Sequence, residues 1–100
     1  MKLKIFSLAV FFIALHAYAF ATIIKFGGKV IDVQTKNGIP GATVSIPELR
    51  LSVVTDDKGE FIFDHLALKG RFLIEVTFIG YQTLTQAIDL GSTSSFDFIL

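Results

Sequence analysis

Thr55-Asp56-Asp57-Lys58-Gly59-Glu60-Phe61 decides how the chain is read. It separates two strand-like runs, Leu51-Ser52-Val53-Val54 and Phe61-Ile62-Phe63. Aspartate side chains accept hydrogen bonds from nearby backbone N–H groups, and glycine adopts φ > 0 without a Cβ clash. Asp56 to Gly59 therefore reverses the chain, and the spacing predicts that the two runs pair as a hairpin. Side chains alternate along a strand, so Phe61 and Phe63 face one way and Ile62 the other.

The rest of the chain continues this pattern. Ile23–Val33 reads as a first strand, with Gly27-Gly28 inside it marking a bulge or a close backbone approach. Asn37-Gly38 is a turn signal. In Ala42–Ile46, residues Ala42, Val44 and Ile46 share one face until Pro47, which cannot donate to a ladder, ends the run. Asp64–Gly70 reads as a loop with its leucines tucked inward. Arg71–Phe78 alternates cleanly, with Phe72, Ile74, Val76 and Phe78 on one face. A helix would set Glu75 beside Phe72 and Ile79, so period two is preferred. Gly80 breaks the run, Gln82–Asp89 resumes it, and Ser95–Leu100 forms a last strand with Phe96, Phe98 and Leu100 on one face.

About seven short strands with regular turn signals predict an all-β fold, an antiparallel β-sandwich. The expected core is Phe61, Phe63, Phe72, Ile74, Val76, Phe78 and Phe96. The first or last strand is expected at a sheet edge, open to a partner strand.

Composition narrows function. The chain has 100 residues, balanced formal charge and no cysteine. One ordinary domain fits that length. No basic footprint for nucleic acid is present. A disulfide framework, a thiolate metal site and a cysteine nucleophile are excluded together.

The N-terminus has a separate character. Met1-Lys2-Leu3-Lys4 is a basic head, and Ile5–Leu15 is an apolar run of 11 residues broken only by Ser7. Ala17-Tyr18-Ala19 and Ala19-Phe20-Ala21 are overlapping small-x-small sites. This is the layout of a secretory signal peptide. Residues 1–21 are assigned to it, with cleavage between Ala21 and Thr22 and Ala19 the second choice. A membrane anchor is the alternative, but the run is short against the roughly 20 residues a span needs. Loss of Lys2 and Lys4 leaves 7 basic and 9 acidic residues on the mature chain, residues 22–100.

Candidate chemistry is sparse. His65 is the one histidine of the mature chain, too few for a catalytic zinc site without two carboxylates and a spacing motif. Asp56-Asp57-x-Gly59 shares part of a calcium loop but lacks its remaining ligands. Ser92-Thr93-Ser94-Ser95 has no paired histidine to act as base. The expectation is no catalytic residue, no metal and no cofactor. A sugar-stacking platform would have to use Phe26 or Tyr81, because the other aromatics alternate inward.

Four motifs occur in order: Gly28-Lys29-Val30-Ile31-Asp32, Ile39-Pro40-Gly41-Ala42-Thr43-Val44, Thr55–Phe61, and Ile79-Gly80-Tyr81. Together they resemble the carboxypeptidase-regulatory-like domain, a transthyretin-like sandwich. The form with Ile-Gly-Tyr is similar to the domain at the N-terminus of starch-utilisation-type TonB-dependent outer-membrane receptors, common in Bacteroidetes. The resemblance implies a non-catalytic domain in the periplasm or outer membrane of a Gram-negative cell. Its partners would be a receptor plug and barrel in cis, or a periplasmic protein. The chain reads as a fragment of such a receptor or as a free-standing domain. A secreted carbohydrate-binding or adhesion module is the alternative. In either case Gly41, Ala42, Asp56, Gly59, Phe61, Gly80 and Tyr81 are expected to serve structure: tight turns, a crowded small position and a buried ring.

Overall fold

A computed structural model describes residues 23–100. The leader assigned to residues 1–21, with its cleavage point at Ala21 and Thr22, lies outside the described residues. Seven strands follow one another: β1 (Ile24–Ile31), β2 (Thr43–Ile46), β3 (Leu51–Val54), β4 (Glu60–Leu66), β5 (Gly70–Thr77), β6 (Leu84–Leu90) and β7 (Ser95–Ile99). They form two layers, a three-stranded sheet β4-β1-β7 and a four-stranded sheet β3-β2-β5-β6. All neighbours are antiparallel except β1 and β7, which run parallel. The expected all-β sandwich is the fold. One 3₁₀ turn, Pro47–Leu49, bridges β2 and β3 where proline removes a ladder donor.

Alternation puts the core between the layers. Phe26, Val30 and Phe98 of the smaller sheet meet Val44, Ile46, Ile74 and Val76 of the larger, and all seven are fully buried. Phe61 joins the aromatic side of this core, with ring centroids 5.9 Å from Phe26, 5.8 Å from Phe98 and 6.2 Å from Phe63. Such tilted pairs contribute about 0.5–1.5 kcal/mol each beyond their buried area.

The expected hairpin is not formed. β3 pairs with β2, from Thr43 opposite Val54 to Ile46 opposite Leu51, whereas β4 pairs with β1. The turn between them crosses from one sheet to the other. Its closing bonds, Asp56 N–H to Glu60 O at 2.9 Å and Gly59 N–H to Asp56 O at 3.0 Å, are those of a tight reversal. Beyond them the strands diverge, because Thr55 is held in the larger sheet by Ala42 while Glu60 takes its register opposite Lys29.

Other expectations are corrected in the same way. The Asp64–Gly70 loop begins late, since β4 runs on to Leu66, which is buried opposite Ile24; Leu68 is exposed rather than tucked inward. Phe96 lies on the core face of β7 but at the rim, 37% exposed, and Phe98 fills the interior beside it at 5.0 Å. Phe26 is fully buried and offers no platform. The first strand is no edge, because β1 has β4 on one side and β7 on the other; β7 is an edge.

Candidate functional site

The four motifs meet in three places, and in each an aspartate or threonine side chain is hydrogen-bonded to the chain itself. The first is the sheet-crossing turn. Asp56 Oδ1 accepts the N–H groups of Lys58 and Glu60, both at 2.9 Å. The Glu60 bond, then the Lys58 bond, hold its carboxyl below the ordinary value. Gly59 has φ +79°. A Cβ there would lie 2.6 Å from Ile39 N, 2.7 Å from Gly38 Cα and 2.8 Å from Val30 O. Gly38 faces it from the other side, its Cα pressed against the Lys58 carbonyl, which a Cβ would overlap. Two glycines thus let two turns touch backbone to backbone. The contact is sealed by Val30 N–H donating to Gly59 O and Ile39 N–H donating to Val30 O, each at 2.8 Å.

Thr55 makes the second place. It is the only buried polar side chain among the described residues. Its hydroxyl donates to Ile39 O at 2.6 Å and accepts Ala42 N–H at 2.8 Å. Its backbone N–H donates to Ala42 O at 2.9 Å, and its carbonyl accepts Gly41 N–H at 3.1 Å. Ala42 is fully buried here, and Gly41 turns the chain into β2 with φ +79°.

The third place lies just past the same end of β1, two residues beyond Val30. Asp32 Oδ1 accepts the N–H groups of Gln34 at 2.7 Å and Thr35 at 3.2 Å, while Oδ2 accepts the Tyr81 hydroxyl. The Tyr81 bond, then the two backbone bonds, lower the Asp32 pKa; Asp32 in turn raises that of the phenol. The Tyr81 ring leans on Phe78 at 5.9 Å, and Gly80 bends the chain between them with φ +89°. A shallow groove of about 610 Å³ runs past this tie, floored by Leu84, Ile99 and Leu100.

Nothing else among the described residues gathers reactive groups. His65 is exposed on β4 with its Nδ1 2.7 Å from Asp64 Oδ1, a pair that holds the Asp64 carboxyl below its usual range. No three His, Asp or Glu side chains among the described residues converge as metal ligands. Gly41, Asp56, Gly59 and Gly80 lie in turns and Ala42 and Phe61 are packed, whereas the Tyr81 ring, expected to be buried, is 37% exposed beside the groove, its hydroxyl tied to Asp32. Sequence reasoning took all seven as structural. It missed the Thr55 hydroxyl, the Gly38–Gly59 contact and the Asp32 acceptor. Only the last carries a local signal, an aspartate two and three residues ahead of the N–H groups it receives.

The motif residues of this two-layer sandwich hold turns and cross-connections. The chain belongs to the CarboxypepD_reg-like domain family, whose model matches residues 26–100. The family is a regulatory-like, Ig-like β-sandwich that occurs often in TonB-dependent receptors, not a catalytic one. A search of the curated proteins found no match.

Proposed function

We propose that the domain performs no chemistry and acts as a periplasmic accessory module of a TonB-dependent outer-membrane nutrient receptor. One observation carries the reading: the polar motif residues Thr55, Asp56, Asp32 and Tyr81 spend their hydrogen bonds on the chain itself. A group already engaged on several sides is poorly placed to bind or activate a substrate. Family membership and the leader-like N-terminus supply the setting. The domain contributes a rigid body that positions the receptor's N-terminus or meets a periplasmic partner.

Two measurements test this. Mass spectrometry of protein recovered from the cell envelope is expected to find an N-terminus near Thr22, and a mature product starting at Met1 or Lys2 refutes export with cleavage. Isothermal titration against a panel of glycans is expected to give no heat of binding. Saturable binding that Tyr81→Ala abolishes, in a protein that stays folded, would replace the accessory reading with a carbohydrate-binding one.

A further inference from the structure

Asn37 is the only asparagine of the chain, and a glycine follows it. In such a pair the glycine's main-chain nitrogen can close a five-membered ring on the asparagine side-chain carbonyl, and glycine has no Cβ to block the approach. A fold restrains this reaction by giving the glycine N–H an acceptor or by bonding the side-chain amide.

Among the described residues neither restraint is present. Gly38 faces Ile31 in an isolated antiparallel bridge. The bonds of the bridge flank this pair rather than join it: Asp32 N–H donates to Asn37 O at 2.9 Å, and Ile39 N–H donates to Val30 O at 2.8 Å. Gly38 therefore holds a non-hydrogen-bonded position, its N–H turned away from β1, and no backbone acceptor takes it. Asn37 is exposed, and only its backbone groups are bonded.

The loop ahead of the pair is well tied. Asp32 Oδ1 accepts the N–H groups of Gln34 and Thr35, Lys36 N–H donates to Asp32 O, and Asn37 N–H donates to Thr35 Oγ1. One bond reaches the reacting amide itself, Asp32 N–H on Asn37 O, and it assists. A donor on an amide carbonyl stabilises the negative charge that develops when the N–H of that amide loses its proton.

We propose that Asn37-Gly38 is a self-modification site, at which the folded chain converts asparagine to isoaspartate and so loosens the contact between its two turns. Gly38 N gives its proton to water and bonds to Asn37 Cγ. The bond from Cγ to the amide nitrogen breaks, and ammonia leaves after taking a proton from water. A water molecule then adds to the main-chain carbonyl carbon of residue 37, the carbonyl that Asp32 N–H polarises, and the bond from that carbon to Gly38 N breaks. One water is consumed and one ammonia released, with no oxidation or reduction. The main chain now runs through Cβ and Cγ, one carbon longer, and carries a new carboxylate.

That carbon enters where the chain has no slack. Gly38 lies between the two flanking bonds, pressed against the Lys58 carbonyl so closely that a Cβ would overlap its oxygen and come 2.7 Å from its carbon. A longer chain at residue 37 must break a flanking bond or move Gly38 off the Lys58–Gly59 turn.

Incubation of the purified protein in mildly alkaline buffer, followed by peptide mapping and assay with an isoaspartate-specific methyltransferase, measures the reaction. A site that reacted only from the unfolded chain would be slowed by the folding equilibrium constant, on the order of 10³ or more. The folded protein should instead convert within about tenfold of the rate in guanidinium chloride, because the exposed pair needs at most local opening. Asn37→Gln, which would have to close a six-membered ring, should stay unmodified. The isoaspartate form, separated by ion exchange, should unfold at a lower denaturant concentration than freshly prepared Asn37→Asp, which carries the same charge on a chain of normal length. A folded protein that stays unmodified while the denatured chain converts, conversion that Asn37→Gln does not stop, or an isoaspartate form as stable as Asn37→Asp would each overturn the proposal.

Discussion

The sheet-crossing turn at Thr55–Gly59 and the Asp32–Tyr81 tie use the same device in different settings. In both, an aspartate receives two backbone N–H groups and shapes a reversal. Behind the first lies backbone against backbone, with Gly38, Gly59 and Val30 in contact and the Thr55 hydroxyl sealed inside. Behind the second lies a groove open to water. The comparison separates two sources of rigidity. One comes from excluded volume, which no side chain can relieve; the other comes from exposed hydrogen bonds, for which water competes.

The largest effect should therefore come from volume at the turn. Gly59→Val adds a β-branched side chain at φ +79°, where its Cβ alone would crowd three main-chain atoms. Strain and overpacking together should cost about 2 kcal/mol or more. Asp57→Ala, a change on the exposed side of the same turn, should stay within about 0.5 kcal/mol. Urea denaturation of both variants against the parent measures the gap, and equal midpoints would dissolve the contrast.

Thr55→Val ranks next. It keeps the shape but strands the Ala42 N–H and removes the bond to Ile39 O. A buried unmet donor costs about 1–3 kcal/mol. Thr55→Ser keeps both bonds and loses only a methyl group, so its denaturation midpoint should fall between those of the parent and Thr55→Val.

The smallest effect belongs to the exposed tie, and its signature is pH dependence. Asp32 has a folded pKa below its ordinary value of 3.8. Its contribution is complete above the unfolded value and disappears as pH falls through the folded one. Asp32→Asn should therefore differ from the parent at neutral pH and converge on it as pH drops below about 4. Asp56 and Asp64 are lowered too, so the variant keeps an acid-dependent slope of its own. Thermal melts from neutral to acid pH follow the convergence. A difference that stays constant would mean the Asp32 charge is not what holds the loop.

These rankings track what was legible in the sequence. The face of each residue in β5 was readable, because period two is a local property that Phe72, Ile74 and Val76 display in one run. The turn at Asp56–Gly59 was readable for the same reason. Which sheet a strand joins was not. Leu51–Val54 and Phe61–Phe63 look like hairpin partners along the chain, yet β2 and β1 claim them through contacts between distant segments. Gly38 advertised a turn, but its contact with Lys58 belongs to the packed molecule. Thr55 looked like an ordinary strand threonine, since nothing beside it in sequence announces that Ile39 O lies within reach. Phe26 alternates no differently from an exposed aromatic; only the position of β1 between two neighbours buries it.

The parallel pairing of β1 with β7 also orders events as the chain folds. β1 can gain β4 early, but its second side stays open until Ser95–Ile99 arrives. Closing so long a loop costs entropy before any contact repays it. The smaller sheet is therefore completed late, with Phe26 and Phe98 brought together from opposite ends of the described chain. A chain still being synthesised cannot lock this sandwich before β7 emerges.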